Sequence, residues 1–170
     1  MGVIKAEAIS TSRLDLLPLR ADHAEEMAVV LADADLYAFT GGSPPSVPAL
    51  RARYERMIAG SADPEVSWCN WVIQHRDQRC LTGTVQATIT GPAAEVAWVV
   101  GTAWQGRGLG TEAARGLVAW LAERPVQEII AHIHPRHEAS ARVAAAVGLS
   151  PTNEWQDGER RWRRTRCAPL

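Results

Sequence analysis

One short segment of the chain combines glycines with a helix start in a way that could bind phosphate. It runs from Gln105 to Gly110, with glycines at positions 106, 108 and 110, and a helical pattern begins at Thr111. Glycines let a backbone approach a ligand closely, and a helix N-terminus presents unpaired N–H groups and a positive dipole end. The segment therefore indicates a phosphate or pyrophosphate site. The alternative is a tight strand-to-helix turn that binds nothing.

Two common phosphate motifs do not match this segment. A P-loop requires Gly-Lys-Ser or Gly-Lys-Thr after four spacer residues, whereas Gly106 is followed by Arg107 and Gly108. The dinucleotide fingerprint requires a glycine three residues after Gly108, where the chain has Thr111. The preceding chain is also too rich in hairpin signals for a doubly wound sheet. These two classes of nucleotide-binding protein are therefore excluded.

Histidines cluster in one later part of the chain without forming a metal motif. His132, His134 and His137 are close in sequence. They lack the helical or strand-loop framework of a zinc site, and no carboxylate or cysteine completes a ligand set. We therefore expect no metal.

The elements around the glycine segment alternate in a recognisable order. Apolar periodicities, with glycine and proline breakers between them, predict the order β-α-α-β-β-β-α-β-α-β-β. The predicted fold class is α/β (α+β): one domain over residues 1–170, with a mixed, mostly antiparallel sheet flanked by helices. The predicted strands are 13–20, 68–75, 81–90, 95–100, 128–134, 154–156 and 160–164, and the predicted helices are 23–31, 47–58, 111–123 and 139–147.

Composition and charge are those of a globular domain without a strongly charged partner. The 170 residues are 46% hydrophobic and 22% charged, with a formal net charge of −1, so no basic field favours nucleic acid or a membrane surface. The chain has no apolar run of membrane-spanning length and no apolar signal-peptide core. The three cysteines, Cys69, Cys80 and Cys167, match no disulfide or metal pattern. We interpret them as reduced thiols and expect a cytoplasmic protein.

With these elements in place, the glycine segment resembles the coenzyme motif of the GNAT N-acetyltransferase superfamily. That motif is Gln or Arg, two residues, Gly, one residue, and Gly or Ala, after an apolar strand and before a helix. The chain has Gln105, Gly108 and Gly110 in these places. The resemblance extends from Thr11 to about Arg164 and includes the order of the elements.

A second motif resembles the branch of ribosomal-protein alanine and serine N-acetyltransferases. In that branch a strand ends in proline, and Asn and Ser precede a helix that closes in Gly-Phe. Pro135, Ser140, Gly148 and Leu149 follow this order at matching spacing, although His137 stands where Asn is usual.

The resemblance implies an enzyme that moves an acetyl group from acetyl-CoA to a primary amine by direct attack. Coenzyme A is expected between the strand that ends at Val100 and the strand that ends at His134. An amide near Val100 would polarise the thioester carbonyl. The coenzyme contacts implied by the resemblance are Trp98, Val99, Val100, Gln105, Gly106, Arg107, Gly108, Leu109, Gly110, Thr111, His137 and Ser140.

The resemblance also implies which groups act in catalysis. A base must take the amine proton, and His132 stands where some family members carry a glutamate; Glu95 and water are the alternatives. Many members use a tyrosine of the last helix as the acid, but Ala144 occupies that position. Ser140, one helical turn earlier, either meets the departing thiolate or only contacts coenzyme A. The predicted catalytic residues are therefore His132, Ser140 and, through its backbone, Val100.

Several questions stay open at the level of sequence. Because the tyrosine is missing, the same fold could serve as a catalytically weak acyl-CoA-binding sensor or partner-binding module. The acceptor could be a protein N-terminus, an antibiotic amine or a small metabolite. The arginine-rich run from Glu159 to Arg166 is typical of a solvated edge strand. It could also steer an acidic acceptor, whereas nucleic acid is disfavoured by the balanced charge. We expect a monomer or a homodimer.

Overall fold

The alternating apolar segments form one eight-stranded sheet in the computed structural model, which describes residues 2–166. Cys167 lies outside the described residues. The strands are β1 (Ile9–Ser10), β2 (Leu14–Pro18), β3 (Val66–His75), β4 (Cys80–Thr90), β5 (Ala93–Val100), β6 (Glu128–Ile133), β7 (Ser150–Gln156) and β8 (Glu159–Thr165). The helices are α1 (Ala24–Val30), α2 (Val47–Ala59), α3 (Leu109–Ala122) and α4 (Glu138–Ala146).

The sheet has the strand order β1-β2-β3-β4-β5-β6-β8-β7. Neighbouring strands run antiparallel, with the exception of the parallel pair β5 and β6. The predicted fold class, an α/β (α+β) fold with a mixed, mostly antiparallel sheet flanked by helices, is therefore confirmed. The order of elements also agrees, apart from the two-residue strand β1, which is too short to give a periodic signal.

The parallel pair β5 and β6 is paired over only a few residues. Its register runs from Ala93 to Glu95 on β5 and from Glu128 to Ile130 on β6. β5 continues to Val100 and stays paired with β4 along its whole length, but its other edge has no strand partner beyond Glu95. The two strands therefore enclose a gap whose sides carry unpaired backbone N–H and C=O groups. This gap positions the candidate site.

Apolar side chains fill both faces of the sheet. Trp71 and Ile73 of β3 belong to the larger buried cluster, and Val72 between them belongs to a second cluster. Because side chains alternate along a strand, the two clusters lie on opposite faces. α3 contributes to the larger cluster through residues at helical spacing, namely Leu109, Ala113, Leu117 and Leu121. α1 and α2 contribute to the smaller one through Met27, Leu50 and Tyr54.

Most predicted boundaries agree with the observed ones to within two residues, and two local features differ more clearly. The first helical stretch begins as a 3-10 turn at Ala21–His23, because the buried His23 imidazole accepts a hydrogen bond from the Arg20 N–H at 3.0 Å. The last hairpin is longer than predicted, since β8 pairs with β6 along its length. Its turn, Asp157-Gly158, has φ values of 51° and 81°, as a two-residue hairpin connection requires.

The buried His23 imidazole leads to a prediction for the pH dependence of stability. Burial lowers the pKa of His23 from its ordinary value of 6.5, so the unfolded chain takes up this proton at a higher pH than the folded chain. The free energy of unfolding should therefore fall as the pH drops below about 6.5. In His23→Asn this decline should be shallower, although not absent, because burial also lowers the pKa of His137.

Urea titrations between about pH 7 and pH 5 measure this slope. Val29→Ala changes an exposed residue of α1 and keeps His23, so it should retain the full slope. A His23→Asn protein with the same slope as the parent protein would contradict the prediction.

Candidate active site

The gap between β5 and β6 opens into a cleft of about 940 Å³. The cleft runs from the N-terminus of α3, along the free edge of β5, to the side of the sheet that α1 and α2 cover. His132 lines it, as do all the predicted coenzyme contacts except Arg107. Residues that the sequence predicted separately on β5, α3, β6 and α4 are therefore brought to one cavity.

The glycine segment forms the end of the cleft at α3. Gly106 and Gly108 have φ values of 76° and 77°, a left-handed conformation that side chains disfavour. Gly108 is the N-cap of α3, and the first intrahelical bond runs from the Glu112 N–H to its carbonyl. The N–H groups of Leu109, Gly110 and Thr111 precede that bond and have no partner inside the helix. This end of the cleft fits a phosphate group, since free N–H groups and a helix dipole converge there.

The segment is tied to the end of β5. Gln105 Nε2 donates a hydrogen bond to the Val100 carbonyl at 3.0 Å. A methyl group added at Gly110 would lie 3.4 Å from Val100 Cγ2 and 3.6 Å from Val143 Cγ2. These distances are ordinary van der Waals contacts, so a methyl group would fit here and would touch both β5 and α4.

Glu112 anchors the glycine segment to the turn between β1 and β2, and the sequence analysis did not predict this contact. Its carboxylate accepts hydrogen bonds from the Thr11 hydroxyl at 2.7 Å, the Arg13 N–H at 2.6 Å and Arg13 Nε at 2.7 Å. Arg13 also donates to the Arg107 carbonyl at 3.0 Å. Burial raises the pKa of Glu112, but these hydrogen bonds outweigh burial and hold the pKa below its usual range. In the sequence, the only indication of this role was that Glu112 is an acidic residue in the first turn of a helix.

The free edge of β5 presents backbone groups to the cleft. The Gly101 N–H donates to the Thr82 carbonyl of β4, and alternate residues of such a strand turn their backbone groups to opposite neighbours. The N–H and C=O groups of Trp98 and Val100 therefore face the gap, where the Val100 carbonyl already accepts one hydrogen bond, from Gln105 Nε2. Val99 pairs with β4 and offers the cleft its side chain, which is 38% exposed.

His132 and Glu95, the two candidate bases, contact each other. His132 Nδ1 lies 2.9 Å from Glu95 Oε1, and Arg161 Nε donates to His132 Nε2 at 3.3 Å. Because Arg161 can only donate, the imidazole proton lies on Nδ1 and the lone pair on Nε2. His132 lines the cleft, whereas Glu95 does not. Arg161 must therefore move aside before His132 Nε2 can accept a proton from the cleft.

Ser140 lies on the first turn of α4 and faces the cleft. Its hydroxyl oxygen accepts a hydrogen bond from Trp98 Nε1 at 3.0 Å, and its N–H donates to His137 Nδ1 at 3.2 Å. His137 is thus the N-cap of α4, and burial lowers its pKa. Ala144, where many family members have tyrosine, is fully buried in the core. Ser140 is therefore the hydroxyl group of α4 that borders the gap.

Phe39 connects the loop between α1 and α2 to the other side of the cleft. Its ring lies 5.0 Å from the His134 ring and 4.7 Å from the His137 ring, measured between centroids. Phe39 also lines the cleft. The loop therefore closes over the cleft next to the cap of α4, a contact that no local sequence pattern indicated.

Arginine side chains of strand β8 form hydrogen bonds to other parts of the protein. Arg160 donates to a β7 carbonyl at 2.6 Å, Arg163 to Glu128 at 3.3 Å, and Arg164 to the Val147 carbonyl at 3.0 Å. The expectation of a solvated edge strand at β8 is wrong, because β7 pairs outside it. These arginines bind the last hairpin together and to its neighbours, and the structure gives no support to a nucleic-acid surface there.

Across residues 2–166, no three His, Cys, Asp or Glu side chains form a group that could hold a metal ion. No helix of this part of the chain has the length and apolar character needed to cross a bilayer. Independence of metal stays a prediction.

Comparison with known proteins identifies the family. Residues 13–150 match the sequence profile of the acetyltransferase (GNAT) domain. The chain therefore belongs to the GNAT acetyltransferase family, as the resemblance of its two motifs predicted. No curated protein sequence matches the chain significantly.

Solved structures agree with this assignment at the level of the fold. A Salmonella typhimurium acetyltransferase that modifies the N-terminal serine of ribosomal protein L7/L12 is 15% identical, with a TM-score of 0.74 over 94% of this chain and 99% of that chain. The ribosomal-protein-S5-alanine acetyltransferase of Vibrio fischeri is 16% identical, with a TM-score of 0.73 over 95% and 97%. The microcin C7 self-immunity acetyltransferase MccE, solved with acetyl-CoA and AMP, is 13% identical, with a TM-score of 0.76 over 91% and 93%.

The three hydrogen bonds at Glu112 lead to a stability prediction. Glu112→Ala leaves the Thr11 hydroxyl and two Arg13 donors without their acceptor, and the Glu112 side chain is only 16% exposed. The free energy of unfolding should fall by about 1.5–3 kcal/mol, as for hydrogen bonds to a charged group. Urea unfolding measures the loss. Glu138→Ala is the matched control, because Glu138 is 85% exposed and 3.9 Å from Arg142; an equal loss in both variants would contradict the prediction.

Proposed function

We propose that this chain transfers the acetyl group of acetyl-CoA to a primary amine by direct attack. The observation that carries the proposal is the continuity of the cleft. The free N–H groups of α3 suit a pyrophosphate, the unpaired edge of β5 suits an extended amide-containing arm, and the opening toward α1 and α2 admits an amine. Membership of the GNAT family supports the same reaction.

Backbone groups of the chain would bind the coenzyme. The N–H groups from Gly106 to Thr111, with the dipole of α3, would hold the pyrophosphate. The backbone of Trp98 and Val100 would pair with pantetheine along the free edge of β5. An N–H near Val100 would then polarise the thioester carbonyl, because its dipole is fixed where negative charge develops.

Side chains on β6 and α4 would handle the proton and the leaving group. His132 Nε2 would take the amine proton after Arg161 moves aside, and Glu95 would stabilise the imidazolium through Nδ1. As the amine nitrogen bonds to the carbonyl carbon, the C–S bond breaks and its electron pair stays on sulfur. Ser140 would donate a hydrogen bond to that sulfur, and the released thiolate would take its proton from water.

The acceptor would approach from the side of α1 and α2. This part of the cleft has apolar walls and a polar floor on β3 and β4, formed by Tyr37, Phe39, Tyr54, Met57, Asn70 and Gln86. One structurally similar acetyltransferase modifies the N-terminal serine of a ribosomal protein, and another is a ribosomal-protein-S5-alanine acetyltransferase. These neighbours support including peptides beside small amines in an acetyl-CoA turnover screen. The predicted cytoplasmic location and monomeric or homodimeric state stay predictions.

A catalytically weak acyl-CoA sensor is the second candidate, because Ala144 replaces the usual tyrosine and cannot donate a proton. Both candidates bind coenzyme A, so binding alone does not separate them. Coenzyme binding without turnover of any amine or peptide in the screen would favour the sensor.

The glycine segment is tested by a bulky substitution. In Gly108→Val a β-branched side chain would occupy a left-handed position at the N-cap of α3. Left-handed strain of about 1–2 kcal/mol would displace the loop, so coenzyme A affinity should fall by about tenfold or more. Isothermal titration calorimetry measures the affinity, and circular dichroism checks folding.

Gly91→Val is the matched control for this substitution. Gly91 also has a positive φ, 54°, but lies in the turn between β4 and β5 with open space around it. It carries similar backbone strain away from the cleft and should keep its affinity. Unchanged affinity in a folded Gly108→Val protein would place the coenzyme elsewhere.

The base is tested at His132. His132→Ala should lower kcat by about 10²- to 10⁴-fold, the usual contribution of a general base. It should also move the acidic limb of the pH–rate profile and leave coenzyme A affinity nearly unchanged. Glu95→Gln, which keeps the shape but removes the carboxylate, should cause a smaller loss. Full kcat with an unshifted pH profile in His132→Ala would show that another group, such as Glu95 or water, takes the proton.

A further inference from the structure

A hydrogen bond crosses from β5 to α4 beside the cleft. Trp98 Nε1 donates to Ser140 Oγ at 3.0 Å, and the two residues are 42 positions apart in the chain. Both residues line the cleft, and the Trp98 ring packs against the buried cluster under α3 and α4. The indole therefore reaches the serine from a position packed against the core.

The chemistry of the two groups gives this bond a direction. An indole N–H can only donate, so the Ser140 oxygen must accept. The serine hydroxyl then keeps its own proton for another partner. Across residues 2–166 the structure gives the Ser140 hydroxyl no acceptor, while the Ser140 N–H is already bonded to His137. A serine hydroxyl that otherwise rotates freely thus has one lone pair occupied and its proton available.

We propose that Trp98 is a positioning residue, whose indole N–H holds Ser140 so that the serine O–H is donated to the departing sulfur. This inference rests on the proposed acetyl transfer. As the C–S bond breaks, negative charge grows on sulfur and attracts the Ser140 proton. A donor already bonded to the serine oxygen polarises the hydroxyl and makes it a better donor. The role belongs to the Trp98 side chain, whereas its backbone would bind pantetheine.

The test removes the N–H and keeps an aromatic ring. Trp98→Phe should lower the rate of acetyl transfer by about two- to tenfold, the fold-change expected for one hydrogen bond. Coenzyme A affinity should stay unchanged, because the backbone of β5 is intact. Single-turnover measurements with acetyl-CoA and the best amine of the screen report the transfer step itself, even where product release limits kcat.

A double-mutant cycle separates positioning from packing. If Trp98 acts through Ser140, Trp98→Phe should cost nothing further in a Ser140→Ala background. Trp120→Phe is the matched control, because the Trp120 indole N–H is buried without a hydrogen-bond partner in the described chain. The same loss of an N–H there should leave the rate of acetyl transfer unchanged.

The rates of the Trp98 and Ser140 variants decide whether the indole acts through the serine. Equal rates for Trp98→Phe and the parent protein, or additive losses in the double variant, would overturn the role of Trp98 while acetyl transfer stands. Coenzyme binding without turnover in the parent protein would overturn both the proposed function and this role. A rate loss confined to Ser140-containing proteins, with unchanged coenzyme affinity, would support the inference.

Discussion

The short pairing between β5 and β6 is the constraint on which the rest of the site depends. These strands share a register for three residues and then part, while β5 stays paired with β4 to its end. Buried backbone N–H and C=O groups are costly when they lack partners. A sheet that opens at its centre therefore leaves an edge suited to an extended ligand. The cleft, the glycine loop and α4 are all arranged around that edge.

The two ends of the cleft are held by different kinds of interaction. At the end formed by the glycine segment, Glu112 joins α3 to the turn between β1 and β2 through charge-assisted hydrogen bonds, and Gln105 ties the loop to β5. At the opposite side, Phe39 contacts the turn between β6 and α4 through aromatic packing. Polar bonds fix the glycine loop where phosphate would bind, and apolar contacts shape the side where an acceptor would enter.

The parts of the candidate site whose local structure agrees with the sequence prediction are those governed by local backbone chemistry. Gly106 and Gly108 lie in the loop before α3, where the glycine spacing predicted a close backbone approach, and β5, this loop and α3 follow one another in the expected order of strand, loop and helix. The catalytic roles were harder to predict from the sequence, because they depend on the hydrogen-bond partners of each side chain. His132 lies at the cleft as predicted, but its bonds to Glu95 and Arg161 had no signal in the sequence. The interpretation of β8 as an edge strand was wrong, because β7 pairs along its outer side and the sequence did not show this pairing.

From the sequence alone, the order of elements, the family and the glycine segment before α3 could be inferred, because glycine spacing and apolar periodicity act over a few neighbouring residues. The length of the β5–β6 pairing, the tautomer of His132 and the bond from Trp98 to Ser140 emerged only in the folded chain. These features join residues that are 29 to 42 positions apart, and Thr11 and Glu112 are 101 apart. Sheet register and helix packing bring such residues together, and no local pattern encodes either one.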